Sequence, residues 1–397
     1  MELSSERPMG TSLQNDKPIY LDYNATTPVD PQVFHAMEPY FKEFFGNPAS
    51  AAHQWGWIAE NAVTKARGQV AALIGAKPME IFFTSGATEA NNWAIFGLLS
   101  KIREENPTEP IHFITSNVEH SSIMKAMAAV EKMGVEVDFL PVNSFGLVEI
   151  ETLRKAIKPH TKLMSFIWVN NEIGSINPMG EIAKIAKENK IYLHTDATQA
   201  AGKIPMNVTE LGIDLMSFSG HKIYGPKGVG ALYIRSKDPK VQINPLLHGG
   251  GQERGLRSGS LNVPGIVGMG MAAEICQKTM TEECHRLQGL RDLFWEKLQE
   301  KIPGVRLNGS PTERASNLLN ITLPNYKTEA LLPRLQKLGV STGSACGTGA
   351  TVVSHVLRAI GLSVDDVQCS LRLSLGRWST EDEVLRAVAI LKNSLQR

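Results

Sequence analysis

Cysteine is scarce. The 397 residues contain four, Cys276, Cys284, Cys346 and Cys369, and no two form a CxxC pair. So few in so long a chain exclude a disulfide framework, and the spacing excludes a CxxC zinc or redox site. Cys276 and Cys284 lie eight apart on an expected helix with His285 beside the second. They read as core packing rather than as a metal site. Net charge is nearly absent as well, since 41 Lys and Arg against 40 Asp and Glu leave +1. No basic surplus drives binding to nucleic acid or to an anionic membrane, so neither is expected as a partner. No apolar run approaches the roughly 18 residues that suggest a membrane span; residues 163–169 read as a buried strand instead. The first 18 residues lack an apolar core segment and carry Glu2, Glu6 and Asp16. They suit neither a secretory signal nor an acid-poor transit peptide. Residues 1–16 are therefore expected to be a flexible tail, and the protein cytoplasmic. Internal repeats, low-complexity tracts and long linkers are missing too.

What is present is an ordinary globular composition, 42% hydrophobic with 34 glycines. From about residue 80 short β-rich runs alternate with helical patterns. MEIFFTSG precedes ATEANNWAIFGLLSKI, IHFITSN precedes HSSIMKAMAAVEKMG, and TKLMSFIWV precedes MGEIAKIAKENK and IYLHTDA. The strands are almost continuously apolar, as expected where helices cover both faces of a mostly parallel sheet. LMSFSG and GVGALYIR follow each other so closely that they predict an antiparallel pair. After about residue 263 the pattern becomes mixed α+β: a long helix with Leu287, Leu290, Phe294 and Leu298 on one face stops before Pro303-Gly304. The last helix opens with the capping box Thr380-x-x-Glu383. The expected fold class is α/β, with a large domain over 31–264 and a smaller α+β domain formed by 17–30 and 265–397.

Three motifs carry chemistry. Thr84-Ser85-Gly86-Ala87-Thr88-Glu89 lies where an apolar strand turns into a helix, whose free N–H groups suit a phosphate; an ordinary capped turn is the plain alternative. Asp196, in HTDATQ, falls at the C-terminal end of a parallel strand, where α/β sheets bind ligands. A carboxylate buried there asks for a cationic partner; a helix N-cap is the alternative. Lys222, in SFSGHKIYGP, is hemmed by Gly220 and Gly225 among apolar and aromatic neighbours. Such surroundings suit an amine used for Schiff-base chemistry, against the alternative of a surface lysine in a Gly-Pro loop. Together, an anion cup, a strand-end carboxylate and a reactive lysine match what pyridoxal phosphate requires: an anchor for its phosphate, an anion for its pyridine nitrogen and an amine for its aldehyde.

The chain resembles the cysteine desulfurases, the NifS-like, longer-loop group of class V aminotransferase-like, fold-type I pyridoxal phosphate enzymes. The resemblance runs from about residue 19 to 395 through YLDYNATTPVD, FGNPASAAHQWGW, FTSGATEANN, VEHSSI, VNNEIG, TDATQAAGK, SFSGHKIYGPKGVGALY, HGGGQERGLRSGSLNVPGIVGMG, STGSACGTGA, SHVLRAIG and LRLSLGR. It implies that Lys222 carries the cofactor, that Asp196 pairs with its ring nitrogen, and that His120 stacks on the ring and moves protons. Ala87, Thr88, Ser219 and His221 are implied phosphate ligands, Gln199 meets the ring hydroxyl, and Asn171 and Arg372 hold the substrate carboxylate. His120 could instead simply cap its helix, and Arg372 could serve a structural salt bridge. Cys346, in a segment with three glycines, is the implied sulfur nucleophile; a transient iron–sulfur contact there is the sole metal contact considered. Ser260, in the 248–260 loop, is implied to reach the cofactor phosphate of a neighbouring subunit, making a homodimer. The alternative is a flexible loop with Arg254 and Arg257 solvated.

The implied reaction turns L-cysteine into L-alanine and leaves a persulfide on Cys346, which then passes to an acceptor such as an iron–sulfur scaffold or a sulfur carrier. Two features depart from the family's pattern. GTGATVVS follows Cys346 where many members have a Ser/Thr-rich segment ending in Leu-Glu-Pro-Ser, and the chain stops at Arg397, where scaffold-docking members commonly continue. Rival readings are a selenocysteine lyase, an aminotransferase with no use for Cys346, and a non-catalytic regulatory subunit of sulfur or iron–sulfur assembly.

Overall fold

The computed structural model describes residues 17–342 and 353–395. The expected tail and Cys346 lie outside the described residues.

Thirteen strands are described, in three sheets. They are β1 (Ile19–Tyr20), β2 (Ile81–Thr84), β3 (His112–Ser116), β4 (Glu136–Leu140), β5 (Thr161–Ile167), β6 (Tyr192–Asp196), β7 (Leu215–Ser219), β8 (Gly230–Ile234), β9 (Arg306–Leu307), β10 (Leu318–Thr322), β11 (Leu338–Gly339), β12 (Ser341–Thr342) and β13 (Ser370–Ser374). The large sheet has the order β2-β8-β7-β6-β5-β3-β4. Its β3–β7 pairings are parallel, while β8 runs antiparallel to both β7 and β2. The antiparallel pair read from LMSFSG and GVGALYIR is therefore present.

The continuous apolar runs make sense because alternate residues feed opposite faces. Phe82, Phe113, Leu163 and Leu215 join a core with the helices Ala87–Glu105 and Ser121–Lys132. Their chain neighbours Phe83, Ile114, Met164 and Met216 join the core on the other face, with the helices Gln54–Leu73 and Met179–Glu188. Burying one large side chain on each face is worth on the order of 2 kcal/mol per residue, so these strands hold their register without polar alternation.

The second sheet, β12-β13-β10-β9, is antiparallel, and β1 pairs in parallel with β11 beside it. One core joins Leu319, Ile321, Leu371 and Leu373 of this sheet to Val384, Val388 and Leu391 of the helix Glu381–Leu395. That helix starts with the expected capping box: Thr380 N–H donates to Glu383 Oε2 at 3.1 Å and Glu383 N–H to Thr380 Oγ1 at 3.3 Å. The helix Val263–Lys301 is continuous over 39 residues. Val263, Ile266, Met269 and Cys276 pack in the large-sheet core, whereas Leu287, Phe294 and Leu298 pack in the other. The line expected at 264/265 thus falls inside one helix, which buries its two halves in two cores.

Candidate functional site at the C-terminal strand edge

Asp196 is the last residue of β6, and Lys222 ends the single 3₁₀ turn Gly220–Lys222 that follows β7. That turn is tight: a Cβ on Gly225 would lie 2.9 Å from the Gly220 carbonyl oxygen. Closing it brings Lys222 Nζ to the carbonyl oxygens of Asn24 and Ala25, both at 2.6 Å. The lysine is therefore gripped by the segment after β1, not left on a surface loop.

Asp196 is 2% exposed. Asn91 Nδ2 donates to one of its oxygens at 2.8 Å and the Thr198 N–H to the other at 3.0 Å. Its backbone interaction with Thr198 is what a capping aspartate makes, yet Asn91 also ties it to the opposite side of the site. The same Asn91 amide reaches Ser122 Oγ at 2.9 Å, and Ser122 Oγ meets His120 Nδ1 at 2.8 Å. His120 does cap its helix, since Nδ1 accepts from the Ser122 N–H at 3.2 Å. Capping by Nδ1 leaves Nε2 as the ring nitrogen able to carry the proton of the neutral ring. Burial pushes the His120 pKa below its ordinary value, against the pull of Asp196. Among the described residues no Lys, Arg or His forms a salt bridge with Asp196, so a buried carboxylate is held by neutral donors alone.

The helix Ala87–Glu105 begins at Gly86 with no side-chain cap. The N–H groups of Ala87 and Thr88 at that end are natural anion donors, and the helix dipole favours negative charge. Ser219 Oγ lies 3.8 Å from where a Gly86 Cβ would stand, an ordinary contact distance that puts Ser219 beside this helix end. His221 Nδ1 meets Thr26 Oγ1 at 3.1 Å, and burial followed by the charge of Lys222 pushes its pKa down to about 4. A cavity of about 280 Å³ between the helices is lined by Thr88, Asn92, Phe96, His120, Ser122 and Lys125. It borders the site without reaching Lys222 or Asp196.

Arg372, on β13, is 6% exposed. It donates to Asp22 Oδ1 at 2.8 Å and to the Asn171 carbonyl oxygen at 3.1 Å, while its Nε is buried without a partner. The salt-bridge alternative is thus realised through Asp22, and Asn171 enters through its backbone. Gln199 is pinned between Asn24 and Lys203. Ser260 is exposed and shares no hydrogen bond with this group among the described residues. The arginines beside it have protein partners, although Arg254 is still exposed and Arg257 is half-buried. Arg257 grips Glu89 at 2.8 and 3.1 Å, and Arg254 lies over the Phe82 ring at 3.9 Å. A loop rich in glycine is held here by two guanidinium groups, one on the Glu89 carboxylate and one over the Phe82 ring.

Several residues at the site had no role in the sequence reading. Asn24 accepts from both Lys222 and Gln199, and Asn91 bridges Asp196 and Ser122. Glu119, 1% exposed, has its pKa pushed up to about 8 by burial, with Ser116 Oγ donating to it at 2.5 Å. Burial also raises the pKa of Glu172, which accepts from Ser354 Oγ at 2.5 Å, and His355 Nε2 reaches the Glu119 carbonyl oxygen at 2.9 Å. These contacts anchor the chain where it resumes after 352. The one available signal was position: Asn24, Asn91, Glu119 and Glu172 all lie inside the motif segments, and Glu119 and Glu172 stand next to His120 and Asn171, which were assigned roles.

The donor set fits pyridoxal phosphate. Among the described residues an uncapped helix end faces Ser219, a buried carboxylate has no cation partner, an arginine Nε has no hydrogen-bond partner, and a lysine amine lies between the strand ends. Ala87, Thr88, Ser219 and His221 would hold the phosphate and Asp196 the ring nitrogen, and Lys222 would supply the amine.

A family model described as aminotransferase class-V matches residues 19–386. The cysteine desulfurase IscS of Rickettsia prowazekii (strain Madrid E) is 46% identical over 380 residues, covering 96% of this chain and 92% of that protein. The cysteine desulfurase IscS of Rickettsia felis (strain ATCC VR-1525 / URRWXCal2) is 45% identical over 390 residues, covering 98% and 94%. A solved NifS-like protein matches with a TM-score of 0.87 at 38% identity, covering 95% of this chain and 99% of that chain. SspA in complex with cysteine matches with a TM-score of 0.79 at 37% identity, covering 91% and 99%. Matches of this extent take in every strand of the large sheet and every described residue of the site, and by them this chain belongs to the aminotransferase class-V family, in its cysteine desulfurase branch.

Proposed function

We propose that this chain is a pyridoxal phosphate-dependent cysteine desulfurase that passes the sulfur of L-cysteine through Cys346 to an acceptor protein. The observation that carries it is the meeting, at one sheet edge, of the Lys222 amine, the buried Asp196 carboxylate and the helix end at Gly86 that has no side-chain cap among the described residues. Bound there, the cofactor supplies the electron sink for breaking bonds at the substrate's α-carbon. Asp196 would hold a proton on the ring nitrogen by its charge, with the Asn91 and Thr198 donors fixing the direction of that carboxylate. Lys222 Nζ moves the α-proton, as an amine suspended between two carbonyls beside the strand ends is placed to do. His120, neutral through burial, offers Nε2 for a second transfer. Arg372 and Asn171 bind the substrate carboxylate; Arg372 turns its fork from Asp22 or uses its orphaned Nε. In sum, L-cysteine and the Cys346 thiol give L-alanine and a Cys346 persulfide, with atoms and electrons balanced. The relative solved in complex with cysteine supports L-cysteine as substrate.

Acceptors of the class expected are an iron–sulfur scaffold or a sulfur carrier, and the proposed place of action is the cytoplasm. Among the described residues no helix is long and apolar enough to cross a membrane. A homodimer is part of the reading. Phe34, Phe41, Phe45, Trp55 and Trp57 are 49–68% exposed, and Phe45 stacks on Trp55 at 5.1 Å. So many large apolar side chains over 34–57 are a cost in water that a second copy would remove, and sedimentation at several concentrations tests it.

The deciding experiment measures L-alanine release and protein-bound persulfide after L-cysteine is added to wild type and Cys346→Ala. Wild type should make both; the variant should make neither while keeping its yellow colour. Alanine release by the variant at the wild-type rate would remove Cys346 from the chemistry.

A further inference from the structure

Gln199 lies three residues beyond Asp196, is 3% exposed, and is gripped at both ends of its carboxamide. Nε2 donates to the Asn24 carbonyl oxygen at 2.9 Å, and Oε1 accepts from Lys203 Nζ at 2.6 Å. Lys222 Nζ meets the same Asn24 oxygen at 2.6 Å, so the amide nitrogen and the Lys222 amine share one acceptor. A backbone carbonyl only accepts and an ammonium only donates. These two partners therefore allow a single orientation of the amide. Flipped, it would set Oε1 against the Asn24 oxygen and the NH₂ group against Lys203.

Lys203 is a costly residue for that place. It borders a cavity of about 20 Å³ together with Lys222, Tyr224, Cys276, Glu283 and Cys284. Burial, then the nearby charge of Lys222, pushes its pKa down to about 7. An apolar side chain of similar length would fill the space without desolvating a cation beside another. Once neutral, Lys203 still has N–H bonds to donate, and Asn24 still refuses the flipped amide, so the grip outlasts its titration.

We propose that Lys203 is a positioning residue that locks the Gln199 carboxamide so that an N–H, never the oxygen, faces the bound cofactor, selecting an acceptor oxygen on its ring. This rests on the reading that Gln199 meets the cofactor. Nε2 carries two hydrogens and Asn24 takes one, so the lock leaves the second as a donor of fixed direction.

A double-mutant cycle on the full-length enzyme tests it, using Lys203→Met, Gln199→Ala and the double variant. Two readouts are followed: the dissociation constant of pyridoxal phosphate, and the pH midpoint of the bound cofactor's visible absorption. Lys203→Met should weaken cofactor binding by roughly three- to tenfold, the loss of one oriented hydrogen bond, and should move the midpoint. Gln199→Ala should do at least as much, and adding Lys203→Met to it should change neither readout further. An undiminished Lys203→Met effect in the Gln199→Ala background overturns the proposal, as do wild-type values for Lys203→Met alone. Wild-type values for Gln199→Ala alone would instead overturn the underlying assignment of Gln199 to the cofactor. Lys203→Leu serves the same cycle where Lys203→Met folds poorly.

Discussion

At the N-terminal edge of the large sheet Lys158 Nζ donates to Glu136 and to Asp138, both at 2.9 Å. His160 reaches Glu136 at 2.8 Å, and His112 Nε2 faces Asp138 at 3.2 Å. Five ionisable groups, contributed by β3, β4 and the turn before β5, settle their charges among themselves. At the C-terminal edge the same residue types are kept apart. Asp196 takes its hydrogen bonds from an amide and a backbone N–H, and Lys222 gives its own to carbonyls. Glu119 is pushed into the neutral range, and among the described residues its Oε2 has no hydrogen-bond partner. Glu136 is half exposed and Asp196 is 2% exposed. Charges that pair in water cost little and do little. Charges that are buried and paired only with neutral dipoles store a demand that a ligand can meet. The difference separates an edge that closes a sheet from an edge that binds.

The largest effect expected from this contrast comes from exchanging the two lysines' fates. Lys222→Ala should lower alanine formation by on the order of 10²–10⁴-fold, the range for losing a group that moves a proton, whereas Lys158→Ala should stay within about twofold. Comparable losses in the two variants would end the distinction. Next is Asp196→Asn, which keeps shape and removes charge. Activity should fall by about 10²-fold, a loss on the order of 3 kcal/mol, while the melting temperature of the cofactor-free protein should hold or rise. A fall in both would mean that Asp196 is structural. Asn91→Ala strips one donor from Asp196 and one from Ser122, at about 1–3 kcal/mol of stability, measured by urea unfolding with and without cofactor.

The edges should also respond to pH with opposite sign. Glu119 binds its proton more tightly folded than unfolded, so its contribution to stability falls as pH rises from its ordinary value of 4.5 to about 8, then levels off. Glu136, held down to about 2 by His160 and then Lys158, contributes stability above its ordinary value of 4.5 that is lost as pH falls toward 2. Melting curves for Glu119→Gln should gain on wild type between pH 5 and 8, and those for Glu136→Gln should converge with wild type in acid. Equal offsets at every pH would deny both assignments. The smallest effect is that of Lys158→Met on thermal stability at pH 7, a drop of about 2 °C or less.

Much of the molecule was legible before folding. Runs such as IFFT and LMSFS declare two-sided burial because each of their alternating faces carries a large apolar side chain, and Thr380 with Glu383 declares a helix start by local hydrogen bonds alone. Lys222 and Asp196 were legible because the chemistry admits few residue types and α/β sheets bind at one edge. Asn24 was not. Its backbone oxygen serves residues 175 and 198 positions away, and any residue type there could offer a carbonyl. Arg257 could be read as solvated because the sequence does not show which acid it meets: Glu253 of its own loop is bound by Arg67, and Glu89 comes from 168 residues earlier. The sequence shows one helical face over Leu287, Leu290, Phe294 and Leu298, yet only packing reveals that the helix runs from Val263 to Lys301 and that its two halves serve different cores.

Residue type and short-range periodicity thus determined the strands, the caps and the chemical repertoire: which side chains could bind an anion, carry an amine or hold a charge. Tertiary structure decided the partners. It set Asp22 on Arg372, Asn91 on Asp196, and Asn24 on both Gln199 and Lys222. The physical reason is reach: a hydrogen bond is decided within about 3 Å, and sequence patterns govern distances that short only within a turn or two of the same element.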